Sequence, residues 1–203
     1  MAGLRERKKQ ETRAALSWAA LRLAVERGLA GVTVDEIATA AGVSPRTFNN
    51  YFASKHEAIV WRHVDRFARV ADQLHTRPAT DPLWTALTDA VRAVFGTPDP
   101  AEPGPPSEWT AGVRLLMAQP ELRGEFVKAS AAAERELAAA VAERTGTDTD
   151  QDMYPRLVAA AVGTAVHVAS EQWLRADPPV ALVSLLDDAL RQFASGLPDL
   201  RSL

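Results

Sequence analysis

The sequence predicts an all-α protein, a three-helix head with a helix-turn-helix followed by a larger helical body, about nine helices in all. Three observations carry that reading. Apolar residues recur at spacings of three and four, while alternating strand patterns are nearly absent. Helix-start signatures punctuate the first 60 residues. Proline- and glycine-rich breaks divide the rest into segments of helical length.

The elements follow in order. Leu16, Ala20, Leu23 and Ala24 set the apolar face of a first helix over about 7–27, closed by Gly28. Thr33 and Glu36 form a capping box that opens a second helix reaching about Ala41. Ser44 caps a third, with Pro45 at its favoured first position. Ser54 and Glu57 make another box, opening a fourth helix to about Leu74. Further helices are expected at about 81–95, 107–118, 120–144, 151–175 and 179–196. Between them lie "TPDPAEPGPPSE" (97–108), "RTGTDTDQD" (144–152) and "ADPP" (176–179), which read as connections. The expected domains are 1–54, the helix-turn-helix, and 55–203, the body.

The totals narrow the function classes. With 203 residues and 47% hydrophobic content, a sizeable core is available. The absence of cysteine excludes disulfides and thiolate metal sites. No secretory signal and no run of 18 apolar residues is present, so a soluble cytoplasmic protein without a membrane partner is expected. The net charge of −3 is uneven: residues 1–63 carry +4 and the remainder −7. A basic end on an acidic body suits a head that binds a polyanion.

The stretch "GVSPRTFNNYFASK" (42–55) gives that head its chemistry. Phe48 and Phe52, four residues apart, face inward with Ile37 and Val43. Arg46, Thr47, Asn49 and Asn50 are then left on open faces. Arginine pairs bidentately with guanine and asparagine with adenine in the major groove. Tyr51 and Lys55 are placed to reach phosphates, and Thr33 and Ser44 sit at helix N-termini that favour them. The basic start, Arg5 to Arg13, follows the DNA backbone or enters the minor groove.

"TVDEIATAAGVSPRTFNNYFASKHEAI" (33–59) resembles the DNA-binding head of the TetR (tetracycline-repressor-like) family of bacterial transcriptional regulators. The likeness covers roughly residues 5–65. It implies an all-helical homodimer with two heads on a palindromic operator and a body that binds a small effector. By position, Thr33, Thr47, Tyr51 and Lys55 match the family's phosphate contacts. Arg46, Asn49 and Asn50 match its variable base-reading positions, although many members carry an aromatic where this chain has Asn49.

The body shows no catalytic constellation, because His56, His63, His75 and His167 lie far apart in sequence and no phosphate loop or HExxH spacing occurs. A regulator rather than an enzyme is therefore expected, with no cofactor and no metal. Trp84, Phe95, Trp109, Leu116, Met117, Phe126, Val162, Val166 and Trp173 are the candidate walls of an effector pocket. They fit an apolar or amphipathic ligand, acyl-CoA-like by a resemblance of 158–174 to regulators of that type. Glu108 and Glu171 leave a cationic ligand as an alternative. The resemblance assigns a dimer interface to Ala160, Gly163, Thr164, His167, Leu182, Leu186, Leu190 and Phe193, although intramolecular packing accounts for the same amphipathic pattern. A ligand-independent architectural DNA binder and an enzyme with an appended helix-turn-helix are the rival functions.

Overall fold

The computed structural model describes residues 2–96, 107–176 and 180–197; the side chains of Ala2, His63 and residues 107–110 are outside that description. Every regular element among the described residues is helical. The helices are α1 (Ala2–Arg27), α2 (Val34–Ala40), α3 (Pro45–Asn49), α4 (Lys55–His75), α5 (Leu83–Phe95), α6 (Ser107–Met117), α7 (Pro120–Thr145), α8 (Tyr154–Arg175) and α9 (Leu182–Ala194). A short 3₁₀ turn, Leu29–Gly31, joins α1 to α2. The expected order and number hold. Helix α1 starts about a turn earlier than its apolar periodicity shows, because an exposed first turn has no core face to mark it. The expected loop at 97–108 lies, through residue 106, outside the described residues, as do residues 177–179 of "ADPP".

The chain forms two compact units. The first runs through residue 64 and includes α6 and α7 up to Ala129; the second holds the rest. The division thus differs from a cut at residue 54. Its physical basis is a close seat of α6 on α1: a Cβ placed on Gly112 would lie 2.6 Å from Val25 Cγ1. Only glycine lets the helices approach so near. Leu116 and Leu122 then join Leu16, Ala20, Leu23, Ile37, Phe48 and Ile59 in one buried cluster.

The second unit packs α8 on α9 and α9 on α5. Leu87 and Val91 of α5, Leu137 and Val141 of α7, Val162 and Val166 of α8, and Leu186 and Leu190 of α9 are all buried. Arg92 of α5 donates Nε to Asp187 Oδ1 of α9 at 2.7 Å, and that bond, with the aspartate's charge, raises the guanidinium pKa. Arg144 of α7 donates to the carbonyls of Arg77, Pro78 and Asp81, tying down the α4–α5 connection.

Candidate nucleic-acid interface

The head is shaped by local signals that close as the sequence dictates. Thr33 Oγ1 accepts from the Glu36 amide at 3.3 Å, and Glu36 Oε2 accepts from the Thr33 amide at 2.9 Å, completing the capping box. The Thr33 amide and the Thr33 hydroxyl, which donates to Glu36 Oε2 at 2.8 Å, hold the Glu36 carboxyl below its ordinary pKa, with Arg27 adding a 3.0 Å ion pair. Helix α2 ends in a left-handed Gly42 (φ 70°), with Val43 N–H donating to Ala38 O at 2.9 Å and Gly42 N–H to Thr39 O at 3.0 Å. This pair of bonds is a Schellman closure, and it turns the chain into α3. Ser44 Oγ accepts from the Thr47 amide at 3.1 Å and lies 2.9 Å from Thr47 Oγ1. Ser54 Oγ accepts from the Glu57 amide, while the Glu57 carboxylate reaches back to the Ala53 amide at 2.7 Å.

Phe48 is 0% exposed and Phe52 2%, with ring centroids 5.7 Å apart. Their burial fixes the rotation of α3. At 100° per residue, Arg46 and Asn50 then share the middle of the opposite face, with Thr47 and Asn49 on its flanks. Arg46, Asn49 and Asn50 are exposed, and Thr47 is half-buried. Tyr51 is half-buried against the head's core, and Thr33 and Ser44 stand at exposed helix starts. The structure therefore gathers the expected DNA-facing side chains on one short helix and its approaches.

Two cations sit differently from expectation. Lys55 does not extend into solvent. Its ammonium donates to Leu29 O and Val32 O, each at 2.8 Å. Arg13 belongs to the helix and not to a loose arm: its guanidinium lies 5.3 Å from the Phe52 ring centroid and 5.1 Å from that of Trp61. Desolvated cation–π contacts of this kind stabilise by about 1–2 kcal/mol. Arg5, Arg7, Lys8 and Lys9 also lie within α1, so the basic start is helical. There Arg7 pairs with Glu11 and Lys9 with Glu6.

The expected pocket residues divide between the two units. Leu116, Met117 and Phe126 pack into the head's cluster. Phe95, Val162 and Val166 are buried in the second unit, and Trp173 is half-buried there. Arg66 lies over the Phe95 ring at 4.9 Å. Trp84 lines a surface cleft with Thr88, Arg92 and Asp187, a polar setting rather than an apolar wall. The side chains of Trp109 and Glu108 are outside the described residues.

The expected dimer residues divide as well. Leu186 and Leu190 are 0% exposed within the single chain, so they build its own core and offer nothing to a partner. Leu182 and Phe193 are half-buried. Gly163 faces inward across α7, where its Cβ position lies 2.8 Å from Glu134 Oε1. Burial raises the pKa of that glutamate. Ala160, Thr164 and His167 are exposed, and His167 stands 3.7 Å from Glu171. Sequence reasoning missed the apolar residues beside them: Met153, Tyr154, Leu157 (62% exposed) and Val168 (50%). Positions 153, 157, 160, 164 and 168 recur at helical spacing along one face of α8, and that periodicity was the available signal.

Two family models match the chain: residues 18–58 fit the model for bacterial regulatory proteins of the tetR family, and residues 81–198 the MftR C-terminal domain. The transcriptional regulator TcmR of Streptomyces glaucescens is 35% identical over 98% of this chain and 87% of its own length. MftR of Mycobacterium tuberculosis, assigned to regulation of mycofactocin biosynthesis, is 31% identical over 94% of this chain and 93% of its own. The chain belongs to the TetR family of transcriptional regulators. In fold it is similar to FadR of Thermus thermophilus, a TetR-family repressor solved with lauroyl-CoA (TM-score 0.54, 21% identity, 92% of this chain and 95% of that one). This regulator thus carries its helix-turn-helix as a DNA-binding head. No described helix is long and apolar enough to cross a membrane.

Proposed function

We propose that this regulator acts as a homodimeric repressor that leaves a palindromic operator when a small apolar or amphipathic effector binds its body. The observation that carries the DNA half is the rotation of α3, where buried Phe48, with buried Phe52 just past the helix end, turns Arg46 and Asn50 outward together. Arg46 and Asn50 read base edges, with Asn49 beside them, while Thr33, Ser44, Thr47 and Tyr51 hold phosphates.

Dimerisation is supported by the face of α8 formed by Met153, Leu157, Ala160, Thr164 and Val168. A self-complementary helix face of small and apolar residues suits an isologous contact. Two heads then meet successive major grooves about 34–36 Å apart. The effector favours the conformer whose heads are wrongly spaced, so it lowers DNA affinity by differential binding, with α4 as the lever. An acyl-CoA thioester is the first ligand to try, given the lauroyl-CoA complex of the similarly folded FadR.

Fluorescence anisotropy tests the whole reading. The duplex is DNA upstream of the protein's own gene, set against a scrambled duplex at physiological salt. Specific recognition appears as binding tighter by about 10³ or more. Lauroyl-CoA is then titrated into the complex, and release of the duplex supports the effector class. Equal, weak, salt-sensitive binding to both duplexes refutes recognition at that site and leaves a distant target or an architectural role.

A further inference from the structure

From its surroundings we infer that Arg13 is a further contact to DNA: its guanidinium, seated against Phe52 and Trp61, neutralises one backbone phosphate through its outward Nη groups. The inference rests on the DNA-binding reading of the head.

Arg13 lies in α1, half-buried, in the same compact unit as α3 and the start of α4. The rings of Phe52 and Trp61 meet edge to face, with centroids 6.0 Å apart. The guanidinium carbon lies 5.3 Å from the Phe52 centroid and 5.1 Å from that of Trp61. Nε is buried without a hydrogen-bond partner, and among the described residues no carboxylate pairs with the group. Arg27, Arg92 and Arg191, by contrast, each have a carboxylate. Ring faces attract the cation but leave its hydrogen-bond donors unused. A charge partly withdrawn from water calls for an anion.

The open donors and the charge around them say what that anion is. With Nε enclosed, Nη1 and Nη2 form the outer edge of the group. That edge offers two parallel N–H groups, the fork that matches two phosphate oxygens. Residues 1–63 carry a net +4, so the anion they draw in is a polyanion. Phe52 directly follows Tyr51, which the DNA reading places on a phosphate. One turn earlier Phe48, 5.7 Å from Phe52 between ring centroids, sets the rotation of α3. The ring contacts thus fix Arg13 relative to the base-reading helix. A phosphate held there sets register and carries no sequence information. Lys9 and Arg5, one and two turns earlier on the same face of α1, are exposed and continue the cationic row.

The test compares wild-type protein with Arg13→Met and Arg13→Lys on the upstream and the scrambled duplex, from about 50 to 200 mM salt, with Tm recorded. Arg13→Met keeps a flexible stem over the rings and removes the charge. Its slope of log affinity against log salt should be smaller by about 0.9, the signature of one lost phosphate. Its deficit against wild type should therefore shrink about 3.5-fold across that salt range. The loss should be alike on both duplexes, since a backbone contact reads no sequence. Arg13→Lys, which keeps one charge, should hold the wild-type slope within about 0.3.

An unchanged slope in Arg13→Met overturns the inference, and a lowered Tm beside it assigns Arg13 to packing alone. A loss confined to the upstream duplex also overturns it, because Arg13 then acts through the placement of α3. So does an Arg13→Lys slope as low as that of Arg13→Met, which ties the effect to the ring contacts and not to charge. Should Arg13→Met fail to fold, NMR on wild-type protein decides the matter. A coupling across the hydrogen bond from an Arg13 Nη to a backbone phosphorus is expected on the duplex. A guanidinium whose Nη protons still exchange freely with solvent there overturns the inference. Failure of wild-type protein to bind any duplex refutes the DNA reading and this inference with it, and is seen before either variant is made.

Discussion

Substitution of Gly112 by alanine probes the contact that joins α6 to the head. Two effects oppose each other. Alanine inside a helix is favoured over glycine by about 1 kcal/mol. Against that, the new methyl would lie 2.6 Å from Val25 Cγ1, far inside van der Waals contact. Overpacking of this kind costs about 1–3 kcal/mol. The net for Gly112→Ala is a destabilisation of up to about 2 kcal/mol. Removing the obstacle should reverse the sign. In Val25→Ala only the Val25 Cβ position remains near, at 3.7 Å, which is ordinary contact. Gly112→Ala made in that background should then stabilise by about 1 kcal/mol, giving a coupling energy of about 1–3 kcal/mol between the two sites. The assay is urea unfolding of all four proteins followed by circular dichroism at one fixed protein concentration, since a dimer's stability depends on concentration. Additivity within about 0.5 kcal/mol would refute the close seat of α6 on α1.

Three further outcomes are expected. Arg46→Ala should weaken the specific duplex by about 1–3 kcal/mol and relax preference at one base pair, read by anisotropy on single-base variants; equal loss on scrambled DNA would instead mark Arg46 as a phosphate contact. Leu157→Glu, on the exposed face of α8, should shift the protein from dimer to monomer in analytical ultracentrifugation and weaken operator binding, and an unchanged dimer would move the interface elsewhere. Glu134 has its folded-state pKa raised by burial, so its penalty is absent below the ordinary value of 4.5 and grows as pH rises through the raised value. Glu134→Gln should accordingly raise Tm at pH 7 and leave it unchanged near pH 4, whereas an equal rise at both pH values would assign the effect to packing.

The sequence by itself determined the helices and the character of the head. Thr33 with Glu36, Ser44 with Thr47, and Ser54 with Glu57 act over three residues, so their bonds are legible in the order of the letters. The inward pair Phe48 and Phe52 is one helical turn apart, and that spacing alone turned Arg46 and Asn50 outward. Tertiary structure decided what depends on distant partners. Lys55 reads as a free cation until the carbonyls 23 and 26 residues earlier are brought beside it. Leu186 and Leu190 read as an apolar face, and such a face does not say whether it is covered by its own chain or by another copy; packing against α5 and α8 covers it within the chain. Gly112 and Gly163 carry no pattern at all, because a missing side chain has meaning only where another group, Val25 or Glu134, fills the space. Local hydrogen bonds and helical periodicity are properties of short sequence, whereas burial, close approach and the choice of partner arise only when separated segments meet.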